Sequence, residues 1–280
     1  MGNEYAIPIL PRTLEVARKL AGDSARERLP IFEKAVKAYN AKAQKTLGVY
    51  SLNSDGEFVG GNIFARCLMD MVSPQNTRRA NITHLLQISD RDVKYLAGTY
   101  EDDNAVVLRS LEDSANASNT YLAKALARKL KVKNIKNPFV VTNLAIKDDE
   151  RSAYGLVFVT TNSTKVIEAP QLIGKNHGRK FTFYDADGMP IFKDDTDKSG
   201  KRQVWTRDGG ISRLFLGGYL SLVSYNGGLA YSGDYGRVVE LNSEAVGADF
   251  EKQLVEMYKS QQSELLKRFE NAKKVLAGEK

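Results

Sequence analysis

Residues 212–239 read SRLFLGGYLSLVSYNGGLAYSGDYGRVV. Anchors that suit burial recur through this stretch: Ser212, Arg213, Leu214, Leu216, Leu220, Leu222, Leu229, Ala230, Gly236, Arg237, Val238 and Val239. The residues between them are nearly all Gly, Tyr, Ser, Asn or Asp. Short runs that alternate in this way read as strands, because successive side chains of an extended chain point to opposite faces. The Asn226-Gly227 pair offers a hairpin turn.

The alternation belongs to a longer zone, residues 138–241. There FVVTNLAI, YGLVFVTT, TKVIEA, KFTFYDADGMPIF, RQVWT, SRLFL, YLSLVS and GRVVEL carry β-branched or period-two patterns. Asp185-Ala186-Asp187-Gly188 lies between two apolar runs and predicts a hairpin. Upstream the period changes. Residues 13–21 and 29–47 space their apolar residues as helices do, the second through Ile31, Phe32, Ala35, Val36, Tyr39, Ala43 and Leu47, with Pro30 in its first turn and Gly48 at its end. Residues 52–61 form a turn-rich break, and helices are expected over 62–72, 81–87, 90–98 and 118–130.

Ser89 with Asp92 matches a capping box. The helices on either side of it match a helix-turn-helix outline, but the second offers DNA only Arg91 and Lys94, against Asp90 and Asp92. Downstream, Phe250, Leu254, Met257, Tyr258, Leu265, Phe269, Ala272 and Leu276 form one apolar stripe over 248–277, interrupted at Gln261. That stripe can pack on the protomer or on a second copy in a homo-oligomer. The expected class is α+β, in three zones: a helical region 1–136, a β-rich ligand-display region 137–242, and a C-terminal helical region 243–280.

Composition narrows function by exclusion. The chain has 280 residues, 42% of them hydrophobic and 27% charged, as globular proteins do. No apolar run is long enough to span a membrane. The opening MGNEYAIPILPRTLEV carries Glu4 and two prolines instead of a secretory signal, so a cytoplasmic or virion location is expected. One cysteine, Cys67, excludes an internal disulfide, and with only His84 and His177 beside it a structural zinc site is not expected. The phosphate-binding, zincin, nucleophile-elbow and CxxC signatures are missing, so no enzyme, cofactor or metal is expected. Asp195, Asp197, Ser199 and Gly200 match the start of a calcium loop, but Thr206 stands where that loop needs a bidentate carboxylate.

The displayed set of 212–239 has the composition of antibody combining loops. Tyr supplies large rigid contact area at little entropic cost, while Ser, Gly and Asn adapt their hydrogen bonding. The segment resembles the variable region of the C-type-lectin-like variable proteins that retroelements diversify in phages and bacteria. In that family adenine-directed mutagenesis rewrites AAY codons, mainly to Asn, Asp, Tyr, Ser and Gly, with occasional Val or Phe. The in-between residues here, Phe215 and Val223 included, belong to that set, and Tyr235-Gly236-Arg237-Val238-Val239 resembles the last strand of such a domain. The resemblance implies C-type-lectin-like character for the β zone. It also implies a binding face made of Tyr219, Ser221, Tyr225, Asn226, Tyr231, Asp234 and Tyr235, directed at a protein or cell-surface ligand.

A second reading rests on charge. Forty-one basic against 34 acidic residues give a net charge of +7, which suits an acidic partner such as nucleic acid. The densest basic stretch, 124–136 (KALARKLKVKNIK), supplies Lys124, Arg128, Lys129, Lys131, Lys133 and Lys136. It reads either as a solvated helix end or as a phosphate-binding strip.

Overall fold

The computed structural model describes residues 7–10, 13–74, 77–193 and 199–243. The class is α+β, as the two periodicities predict. A seven-stranded sheet runs in the order Lys165–Glu168, Phe139–Thr142, Glu101–Leu108, Ile211–Leu216, Leu222–Val223, Arg202–Trp205, Lys180–Phe181. Its neighbours are antiparallel except Arg202–Trp205 beside Leu222–Val223. A second, antiparallel sheet runs Ile7–Leu10, Thr13–Lys19, Val239–Ser243, Thr77–Arg79.

The large sheet has a core on each face. Alternate residues of Glu101–Leu108 go to opposite sides: Val106 and Leu108 join one cluster, Ala105 and Val107 the other. The first cluster lies under the helices Gly22–Val36, Ala41–Leu47, Ile63–Met71 and Thr120–Lys129. The second lies under the helix Ile82–Arg91. A sheet buried on both faces is stiff, which suits it to carry an irregular segment along one edge of the packing.

Several expectations hold at the level of single elements. The helices over 62–72 and 118–130 form as Ile63–Met71 and Thr120–Lys129, the first capped by the Asn62 side chain. The Asp-Gly hairpin joins Phe183–Tyr184 to Pro190–Ile191, and Asp185 Oδ1 accepts from the amides of Asp187 and Met189.

Others are corrected. Residues 13–19, expected as a helix, are a strand, because Val239–Ser243 pairs with residues 15–19 and this long-range ladder overrides local spacing. The next helix starts at Gly22, so Pro30 lies inside it on an exposed turn, and the expected stripe over 29–47 is cut by Lys37 to Asn40 into two helices. Ser89 caps nothing: its hydroxyl donates back to the Leu86 carbonyl inside Ile82–Arg91, whose capping box is Asn81 with His84. The helix after it, Val93–Leu96, has four residues, too short for a recognition helix. Glu101–Leu108, where no strand was expected, is a strand buried at every position. It stands upstream of residue 136, so the sheet takes strands from both sides of that position. The apolar stripe over 248–277 and most of the 195–200 loop lie outside the described residues.

Candidate functional site

The segment 212–239 starts on the central strand. Ser212 and Arg213 pair with Val107 and Val106. A bulge follows, and Phe215 and Leu216 then pair with Asp102 and Glu101. A tight turn comes next, closed by Gly217 N–H donating to the Ser221 carbonyl (2.9 Å) and Leu220 N–H to the Gly217 carbonyl (2.7 Å). Leu220 takes φ +58°, an unusual conformation for a branched residue, held because its side chain is buried. Tyr219 stands at the tip, 95% exposed.

After Leu222–Val223 the chain leaves the sheet and no second strand returns beside it, so Asn226-Gly227 is not a hairpin turn. Instead Asn226 Oδ1 accepts from Gly228 N–H (2.8 Å), a local side-chain turn. From there buried or half-buried groups of other elements hold the irregular backbone point by point. Asn116 and Asn119 donate to the Gly227 carbonyl (3.0 and 2.7 Å). Asn62 donates to the Ala230 carbonyl (3.1 Å), and Arg213 to that of Tyr231 (3.0 Å). Ser232 Oγ accepts from Gly61 N–H (2.8 Å). The Tyr100 hydroxyl accepts from Gly233 N–H (2.8 Å) and lies 3.1 Å from the Gly61 carbonyl. The Tyr100 amide donates to the Tyr235 carbonyl (3.1 Å). Gly236 is required here: a Cβ on it would come 2.2 Å from the Gly60 carbonyl oxygen.

Two buried arginines tie this arrangement to the sheet. Arg213, 1% exposed, pairs with Asp102 (3.1 Å), and its guanidinium carbon lies 4.5, 5.2 and 5.7 Å from the rings of Phe215, Tyr100 and Tyr231. Arg109 has no carboxylate in its hydrogen-bond set. It donates to the Leu172 carbonyl, Ser212 Oγ, Thr206 Oγ1 and both oxygens of Ser224. Burial, with Arg207 nearby, pushes its pKa down to about 9.

The expected binding residues separate by exposure. Tyr219, Tyr225, Tyr231 and Tyr235 are 95, 49, 59 and 70% exposed, Asp234 is exposed, and Asn226 is intermediate. Ser221 is a correction: it is 6% exposed, because the turn that presents Tyr219 folds it inward. Phe215 and Val223 are buried as well. The Tyr231 and Tyr100 rings both lie by the Arg213 guanidinium, and the Tyr100 amide bonds the Tyr235 carbonyl, whereas Tyr225 lies beside His177 (ring centroids 6.2 Å apart), which packs edge-on to Trp205 (5.0 Å). His177, Trp205 and Tyr100 were not predictable as neighbours of this segment. Each comes from a distant part of the chain, and only the sheet order brings them in.

The basic stretch occupies the end of Thr120–Lys129 and the loop beyond it, on different elements from the tyrosines. All six of its cations are exposed, and Lys124 forms an ion pair with Glu112. Among the described residues no three His, Cys, Asp or Glu side chains gather as metal ligands. Cys67 is buried against Asn104, and burial raises its thiol far above the range of a reactive thiolate. No helix among the described residues is long and apolar enough to cross a membrane. No family model, curated protein or solved structure matches the chain.

Proposed function

We propose that the protein is a non-enzymatic recognition factor that binds a protein or cell-surface ligand through Tyr219, Tyr225, Asn226, Tyr231, Asp234 and Tyr235. One observation carries this reading: four exposed tyrosines project from irregular backbone that buried groups hold in place. A monomer gains nothing from exposing that much aromatic surface, whereas an interface gains hot-spot contacts already ordered before binding. The displayed residue types further support kinship with retroelement-diversified variable proteins, with the backbone kept constant by the anchors.

The test is capture of the partner by immobilised full-length chain, compared with the double variant Tyr225→Ala, Tyr231→Ala. Capture should fall by at least about a hundredfold in affinity, as for loss of two aromatic hot spots, with the fold unchanged by circular dichroism. Undiminished capture would remove the site. Diversification has its own readout in the flanking DNA: a near-identical repeat with AAY codons at the displayed positions, next to a reverse transcriptase gene. A second reading, nucleic-acid binding, draws on Arg128, Lys129, Lys131, Lys133 and Lys136, all exposed and without an ion-pair partner among the described residues.

A further inference from the structure

Asn226-Gly227 is the only Asn-Gly pair in the chain, and its surroundings leave free the two groups that such a pair can join. It lies on irregular backbone after Leu222–Val223, and Asn226, Gly227 and Gly228 are all partly open to solvent. Asn226 Oδ1 accepts from Gly228 N–H (2.8 Å). The ring that this bond closes runs through the Gly227 nitrogen, so the side-chain carbonyl carbon, Cγ, is turned back toward the nitrogen that follows it in the chain. That nitrogen is uncommitted. Neither Gly227 N–H nor the Asn226 Nδ2 amide group has a hydrogen bond among the described residues. The turn itself needs only the Oδ1 bond, and the freedom of the other two groups is what lets them react.

The neighbours favour attack of that nitrogen on Cγ. Gly228 N–H already points at the oxygen on which negative charge builds when Cγ becomes tetrahedral, the placement by which a fixed amide donor stabilises an oxyanion. Arg213 N–H donates to the Asn226 carbonyl (3.4 Å), which belongs to the same peptide unit as the Gly227 nitrogen and so draws charge from it. The Arg207 guanidinium lies against Gly227, where a Cβ would come 2.7 Å from Nη1. A cation beside the nitrogen favours its deprotonated form. Glycine leaves the nitrogen open to approach and lets the backbone close into a small ring. Asn116 and Asn119 hold the Gly227 carbonyl (3.0 and 2.7 Å), so the pair is presented in one arrangement rather than many.

We propose that Asn226 is a self-modification site, at which the Gly227 nitrogen attacks Asn226 Cγ and the side-chain amide is lost. The bond from the Gly227 nitrogen to Cγ forms and the Cγ–Nδ2 bond breaks. The Gly227 proton leaves on Nδ2, so ammonia departs and a succinimide ring remains. One water then adds to either ring carbonyl and opens it to aspartate or isoaspartate; the balance requires nothing else. A neutral carboxamide is replaced by a carboxylate beside Arg207, and the isoaspartate product carries an extra methylene in its backbone. Charge and shape thus change within the segment that carries the tyrosines. The chemistry is independent of what those tyrosines bind.

Peptide mapping by mass spectrometry tests it, on the full chain held folded in mildly alkaline buffer. Asn226 should pass through the ammonia-loss species to separable aspartate and isoaspartate peptides, ahead of every other asparagine in the chain. Gly227→Ala should slow the change by about tenfold or more, because its methyl group hinders approach to the nitrogen. That methyl meets only the end of the Arg207 side chain. Asn226→Gln, whose longer side chain closes a less favourable ring, should show no conversion over the same period. Circular dichroism verifies both folds. The same map in urea supplies the reference. Conversion in the unfolded chain with none in the folded chain overturns the proposal, because the fold would then protect the pair. So does conversion of Gly227→Ala at the wild-type rate, or another asparagine reacting first. No partner is captured in this test, so its result stands apart from the fate of the recognition surface.

Discussion

At Arg213 a guanidinium is almost wholly removed from water, enclosed by three aromatic rings and paired with a carboxylate, Asp102, that is 6% exposed. Replacing such a pair with apolar groups can be nearly neutral, but removing one partner strands the other charge in the interior at a cost of about 3–5 kcal/mol. Arg213→Met should therefore lower unfolding free energy by about that amount in urea titrations, and Asp102→Leu added to it should recover part of the loss. A double variant no more stable than Arg213→Met alone would mean that the pair is not the binding element between strand and segment. Arg213 is legible in sequence only as an anchor among anchors. That it holds the Tyr231 carbonyl and needs Asp102 is not legible, because the two residues meet only when Ser212–Leu216 pairs with Glu101–Leu108. Ser221 shows the converse: its residue type predicts display, and the geometry of one tight turn buries it.

Among the elements, Glu101–Leu108 departs furthest from what its residues predict alone. It opens with Glu101, Asp102, Asp103 and Asn104, a composition that reads as loop, yet these are 2, 6, 3 and 5% exposed. The cations around them, Arg66 and Arg213 above all, lie far along the chain, so no local pattern shows that the strand can be buried. The β-branched run FVVT, Asp-Gly between apolar runs, and the helical spacing over 62–72 are local signals, and those elements form as read. The buried acids have a pH signature. Burial lifts Glu101 to about 8 and Asp103 to about 6, against Arg66, which pulls both down. A carboxyl with a raised folded-state pKa binds its proton more tightly folded than unfolded. Its contribution is full below the unfolded value near 4 and is lost as pH rises through the folded value. The urea midpoint should then decline between pH 5 and pH 9. Glu101→Gln, which cannot ionise, should match the wild type at pH 5 and exceed it at pH 9. Parallel profiles for the two proteins would show that Glu101 does not titrate in this window.

Over the whole molecule, the two candidate surfaces occupy different elements, and this makes the competing functions separable. The tyrosines ride on backbone fixed to the two-faced sheet, whereas the basic stretch ends a helix and enters a loop. At a helix C-terminus cations complement the dipole without any ligand, so the strip has a sufficient structural reason to exist. A net charge of +7 then acts as a diffuse field that steers an acidic partner toward the molecule without defining where it docks. If the strip instead held single-stranded nucleic acid through its five unpaired cations, counterion release would set the salt slope near −0.7 per phosphate. Affinity would then fall roughly a hundredfold between 50 and 200 mM salt. The recognition reading expects no filter retention of single-stranded DNA at 50 mM salt, and partner capture unchanged by Lys131→Glu with Lys133→Glu, both exposed loop positions. Retention with that steep salt dependence, abolished by the two reversals, would assign the strip to nucleic acid and move the function of the chain off the tyrosines.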